Sequence, residues 1–125
     1  MTLAPQDILG FWTLRSWDIL NQMGGSQPYE DTPVSGFLHY GADGKMSVSL
    51  FCQDNAKLIT TYGGNYELQH DHVVHMPAVG YSPQGIHSAK RRFLRLEKGD
   101  LVMETDWMST DDKTEMYRLI WAKST

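Results

Sequence analysis

The sequence predicts an all-β protein: an antiparallel, up-and-down meander of about eight strands closed into a barrel. Three observations carry this expectation. Short runs of alternating apolar and polar residues recur along the chain, at the period of two that a half-buried strand requires. Turn residues separate these runs in short connections, as between consecutive hairpins. Helix signals are confined to two places, with Pro5 and Asp7 predicting one short turn before Gly10 and "QDNAKLI" (53–59) another. A meander avoids exposed edges most simply by closing on itself.

The first strand is "FWTLRSWDIL" (11–20). The Gly/Pro-rich connection after it, "NQMGGSQPYEDTP" (21–33), is long enough to lie over a barrel mouth as a lid. "GFLHY" and "MSVSLF" form a hairpin around "GADGK", with Asp43 and Gly44 at the bend. Leu38, Tyr40, Met46, Val48 and Leu50 then share the more apolar face, which leaves His39 outside. "TTYGGNYEL" and "VVHMPAVGY" flank "QHDH". A four-residue loop there pairs Leu68 with Val73, Tyr66 with His75 and Gly64 with Pro77, turning His75 inward. "RRFLRL" and "LVMET" flank "EKGD", pairing Leu96 with Leu101, Leu94 with Met103 and Arg92 with Thr105 on one inward face. "EMYRLIWAK" closes the chain. In the first strand Trp12, Leu14, Ser16 and Asp18 share parity, so an inward Trp12 brings Asp18 and Ser16 with it.

The chain of 125 residues forms one domain, 1–125, and its 41% hydrophobic and 21% charged residues exclude disorder. A net charge of −4 argues against nucleic acid or an anionic membrane as partner. No apolar run approaches the roughly 18 residues of a membrane span. The start, "MTLAPQDILG", lacks the features of a signal peptide. The single cysteine, Cys52, makes no internal disulfide and reads as structural, so a cytoplasmic setting is expected.

These segments also carry a family resemblance. "GFW" at 10–12, opening the first strand of a small meander, resembles the G-x-W signature of lipocalins. "ILGFWTLRSWD" followed by "GFLHYGADGKMSV" is similar to the bacterial and fungal lipocalin-like domain family, where "LxGxWxLxSWE" precedes "GYLxYxxDGxMSV". "YGGNYEL", "VVH", "RRFLRLEKGDLVMET" and "LIWAK" extend the likeness over nearly the whole chain. Asp18 stands where that family often has Glu. The basic residue that lipocalins often pack across the first-strand Trp falls to either Lys123 or Arg118. The resemblance implies a calycin-type barrel around a small-molecule cavity and no single reaction.

The segment "HDHVVHM" places His70, His72 and His75 within six positions. On a strand the first two share a face and the third takes the other, so neither a metal site nor any other cofactor is expected. The polar residues that parity puts inside suggest different chemistry. His75 is the candidate acid or base, and Arg92 would hold a carboxylate or a developing enolate. Asp18 would orient His75 or act as base itself. Tyr62, Tyr66 and Ser16 would offer hydrogen bonds, while Leu38, Tyr40, Leu94, Met103 and Tyr117 would line the ligand site. A structural alternative pairs Asp18 with Arg92 and bonds His75 to Tyr66.

Two functions fit these residues. One is a cofactor-independent isomerase, cyclase or lyase of secondary metabolism, acting on a small apolar, unsaturated or carbonyl-bearing molecule. The other is a non-catalytic carrier of a similar hydrophobic or amphipathic metabolite. A third expectation is a domain that acts through protein contacts, homodimer formation among them, on an outer face of Phe37, Phe51 and Phe93.

Overall fold

The computed structural model describes residues 2–30, 32–83, 86, 88–110 and 112–124. The chain enters through a single helical turn, α1 (Pro5–Ile8). Pro5 fits the first turn because its missing N–H has no intrahelical partner to lose. Asp7 accepts a bond from the Ala4 N–H at 2.7 Å. Ile8 is fully buried, and its carbonyl accepts the Trp12 indole N–H at 2.9 Å. The second expected helical turn, in 53–59, does not form. Asn55 accepts from the Lys57 N–H at 2.9 Å and Ala56 takes a left-handed φ of 56°, a turn chemistry that competes with helix.

Ten strands follow: β1 (Gly10–Asn21), β2 (Ser26–Pro28), β3 (Val34–Tyr40), β4 (Lys45–Cys52), β5 (Leu58–Leu68), β6 (His72–Tyr81), β7 (Lys90–Glu97), β8 (Asp100–Glu104), β9 (Met108–Thr110) and β10 (Lys113–Lys123). Their order in the sheet is β2-β1-β3-β4-β5-β6-β7-β8-β10-β9, and a further β1–β10 pairing closes it. Eight of the strands therefore form an antiparallel barrel. The short strands β2 and β9 extend it at one end, on the last residues of β1 and the first of β10. Among the described residues no helix is long and apolar enough to cross a membrane.

The hairpin registers follow from the alternation in the sequence. Leu68 faces Val73, Tyr66 faces His75 and Gly64 faces Pro77, while Leu96 faces Leu101 and Leu94 faces Met103. Leu38, Tyr40, Met46, Val48 and Leu50 are all buried, and His39 stacks outside on Phe11 at 4.2 Å. At the α1 end the interior is solid, packed with Leu3, Ile8, Trp12, Leu38, Tyr40 and Trp121. Lys123 is the basic residue that closes it: its Nζ lies 4.6 Å from the Trp12 ring centre and donates to the Leu9 carbonyl. Arg118 instead bonds Glu104 at 2.6 Å.

A bulge in β1 overturns one expectation. Leu14 pairs with Trp121 and Ser16 with Ile120, so Arg15 is the extra residue and the parity reverses beyond it. Trp12 and Leu14 point inward before the bulge, and Trp17 does so after it. Ser16 and Asp18 therefore move to the outer face, with Asp18 opposite Arg118. The expected inward Asp18 and Ser16 are corrected accordingly.

A second irregularity lies between Gly63 and Gly64, opposite the extra residue Ala78 on β6. A Cβ on Gly64 would stand 2.1 Å from the Met76 carbonyl oxygen, and one on Gly63 would stand 3.2 Å from that of Met46. Gly64→Ala should therefore destabilise the protein by about 1–3 kcal/mol, with a smaller loss for Gly63→Ala. Urea unfolding midpoints check the order, and equal stability of the two variants would contradict the tight β5–β6 approach.

Candidate functional site

Beyond the solid end the barrel opens into a cavity of about 400 Å³. Its apolar wall includes Trp17, Tyr29, Leu50, Ile59, Met103 and Leu119. The long connection after β1 does reach this end of the barrel. Tyr29 stacks on Trp17 at 3.7 Å, meets Tyr117 edge-on at 5.3 Å, and its N–H donates to the Trp17 carbonyl at 3.0 Å. The bulge at Arg15 makes this contact available, because it turns Trp17 toward the cavity.

The polar wall comes from β5, β6 and β7. His75 is 1% exposed and makes two bonds across the interior. Its Nε2 lies 2.6 Å from the Tyr40 hydroxyl and its Nδ1 lies 2.8 Å from the Tyr62 hydroxyl. Tyr66 is its ladder neighbour but turns away, donating to the Gly41 carbonyl at 2.7 Å. The expected His75–Tyr66 bond is thus replaced by a chain of three rings, Tyr40, His75 and Tyr62. Burial, then the Arg92 and Lys90 charges, pushes the imidazole down to about 3, so His75 is neutral at pH 7. Burial also raises Tyr40 and Tyr62 above the ordinary phenol value, with Arg92 opposing it in both.

Lys90 and Arg92 point inward because they alternate with Arg91 and share parity with the buried Leu94. Lys90 sits directly opposite His75 in the ladder and Arg92 opposite Val73. Lys90 is buried, with its Nζ 5.9 Å from the centre of the Tyr62 ring. Desolvation, then repulsion from Arg92, lowers its pKa. Arg92 donates to the Arg91 carbonyl at 3.0 Å, and among the described residues no carboxylate pairs with it. The Asp18–Arg92 bridge is therefore not formed. Asp106 also lines the cavity, but Arg91 holds it through two bonds of 2.8 and 3.1 Å.

Of the residues expected at the site, His75, Arg92, Tyr62, Met103 and Tyr117 line the cavity. Tyr40 stands behind His75, and Leu38 and Leu94 belong to the packed core. Tyr66 packs against that core from its flank, and Asp18 and Ser16 face outward. Sequence reasoning missed Lys90, Trp17 and Thr60 as lining residues, while Thr105, expected on the inward face with Arg92, also lines the cavity. The alternation that placed Arg92 inside also places Lys90 two positions earlier, whereas the unseen bulge concealed Trp17.

The other two histidines of "HDHVVHM" go elsewhere. His70 Nδ1 lies 2.9 Å from the Thr2 hydroxyl, and His72 Nδ1 lies 2.9 Å from Asp71. Among the described residues no three His, Cys, Asp or Glu side chains converge as metal ligands. Phe93 lies three strands around the barrel from Phe51, beside His72 and Arg91, so Phe37, Phe51 and Phe93 form no single outer face. The indole Nε1 atoms of Trp17 and Trp121 are covered and lack a partner among the described residues. Such a covered donor costs about 1–3 kcal/mol.

His75 links stability to pH. Its folded pKa of about 3 lies below the ordinary 6.5, so the unfolded chain binds the proton more readily. The contribution is fully present above pH 6.5 and is lost as pH falls toward 3, with a slope reaching about 1.4 kcal/mol per pH unit. Urea unfolding between pH 7 and 4 should show this slope, and His75→Gln should flatten it. An unchanged slope in the variant would exclude a buried neutral imidazole. Comparison with protein-family models, with curated proteins and with solved structures finds no match to this chain.

Proposed function

We propose that the barrel binds a small amphipathic molecule, with its apolar body against Trp17, Tyr29 and Ile59 and a carbonyl, enol or carboxylate oxygen held by Arg92. One observation carries this reading: Arg92 faces a largely apolar cavity with no carboxylate paired to it among the described residues, and the one described carboxylate in the lining, Asp106, is held by Arg91. A cation in such a place is expensive to desolvate unless an anion or a dipole answers it. An anionic or strongly polar ligand group supplies that answer. The cavity is large enough for a bicyclic aromatic body. The likeness of "GFW" and "GFLHYGADGKMSV" to the lipocalin-like domain family supports the same reading, since ligand cavities are what that family's barrels enclose.

A second reading, acid–base isomerisation, cyclisation or dehydration of that ligand, is favoured by the Tyr40–His75–Tyr62 chain. In it Tyr62, not the imidazole, meets the substrate, because both ring nitrogens of His75 are occupied by hydroxyls. His75 then positions Tyr62, and Arg92 stabilises developing negative charge. Asp18 has no part in either reading.

The binding reading is tested with a matched pair of probes, 2-naphthoate and its methyl ester, by isothermal titration calorimetry. The acid should bind at least about tenfold tighter, a difference of about 1.4 kcal/mol. The variant Arg92→Gln should bind both probes alike. Equal affinity of the two probes for the unmodified protein would sink the proposal.

A further inference from the structure

The direction of the bonds in the three-ring chain can be assigned from burial. Tyr40 is 0% exposed, and its hydroxyl has one hydrogen-bond partner among the described residues, Nε2 of His75. A neutral imidazole has one donor and one acceptor nitrogen, so it cannot accept from both tyrosines. If Nε2 carried the proton, the Tyr40 hydroxyl hydrogen would be left buried without an acceptor, at a cost that the opposite arrangement avoids. An imidazolium would likewise leave the buried Tyr40 hydrogen without an acceptor and would add a third cation beside Lys90 and Arg92. The arrangement that satisfies every atom has Tyr40 donating to Nε2 and Nδ1–H donating to the Tyr62 oxygen. The Tyr62 hydroxyl hydrogen is then free to point into the cavity, which Tyr62 lines.

The charged and titratable groups around His75 act in the same sense. Tyr40 faces it from β3, Tyr62 from β5, and Lys90 and Arg92 from β7; among the described residues no carboxylate contacts it. The polar wall around the ring therefore offers the cavity two donors, the Tyr62 phenol and the Arg92 guanidinium. A neutral carbonyl would use one of them. An oxyanion would use both, and it would also answer the Arg92 charge.

We propose that Tyr40 and His75 fix the Tyr62 hydroxyl as a hydrogen-bond donor into the cavity, and that Tyr62 and Arg92 together form a site for an enolate or phenolate oxygen. This deepens the binding reading and rests on it. A bound enol or phenol releases its proton to solvent, so no side chain of the site has to accept it. The site selects molecules whose enol or phenol ionises within a few pH units of neutrality.

Two experiments test this. Long-range ¹H–¹⁵N NMR of the free protein reads the His75 ring directly. The proton should sit on Nδ1, with Nε2 bare and unchanged from pH 7 to 5. A proton on Nε2, or an imidazolium, overturns the assignment. The second uses 4-nitrophenol, whose visible absorbance separates phenol from phenolate, with 4-nitroanisole as the analogue that cannot ionise.

Bound 4-nitrophenol should ionise at least one pH unit below the free compound, a tenfold gain for the anion. Tyr62→Phe should remove most of that shift while keeping the probe bound. Tyr40→Phe should reduce it too, because His75 can then turn its acceptor nitrogen to Tyr62. If both compounds bind and the phenol ionises at its solution pH, the oxyanion site is wrong and the cavity-binding reading survives. If neither compound binds, both fall.

Discussion

The pairing of β1 with β10 turns a row of hairpins into a barrel, and it does so with Arg15 squeezed out of register. Had the strand run straight, Ser16 and Asp18 would follow Trp12 and Leu14 inward and Trp17 would face water. The extra residue reverses this. An acidic side chain is placed outside beside Arg118, and an indole is placed inside against Tyr29 and Tyr117. The interior thereby loses the carboxylate that would have neutralised Arg92. The aromatic wall and a guanidinium that no carboxylate pairs with among the described residues have one origin, a single residue of strand geometry.

Burial does the rest. A histidine near the surface would titrate near neutrality and offer either nitrogen to a partner. Enclosed by Tyr40, Tyr62, Lys90 and Arg92, His75 is confined to its neutral form and bonded at both ends. A ring in that state transmits hydrogen-bond direction from the packed half of the barrel to the open half. Among the described residues the hydroxyl at the solid end has no alternative acceptor, so the one beside the cavity is governed by it. Arg92 lies near enough to lower His75 and to oppose the rise of both phenols, which places the guanidinium in the same electrostatic neighbourhood.

Much of this was legible in the residues. Period-two alternation and turn chemistry are local properties, so the registers about "QHDH" and "EKGD", the inward His75 and Arg92, and the helical turn at Pro5 could all be read. The bulge could not. Nothing in "TLRSWD" marks Arg15 as extra, because the count of residues between Trp12 and Asp18 is settled by the partner strand β10. The partners of His75 were missed for a related reason. Ladder register names Tyr66 as its neighbour, while the curvature of a closed barrel brings Tyr40 from three strands away. The helical turn expected in 53–59 failed because Asn55 offers the backbone a tighter alternative.

The closing pair also shapes how the molecule assembles. The other barrel pairings join strands that are closer along the chain, but Trp12 meets Lys123 and Asn21 meets Glu115. Contacts so distant in sequence lose the most chain entropy on forming, and topologies rich in them fold slowly. The hairpins of β3 to β8 can form before the ends meet, and in that open state the strip carrying His75, Lys90 and Arg92 lies wet and unconfined. Trp17 reaches Leu119 only through the last seam, so its fluorescence reports the completion of the cavity and not the formation of the sheet.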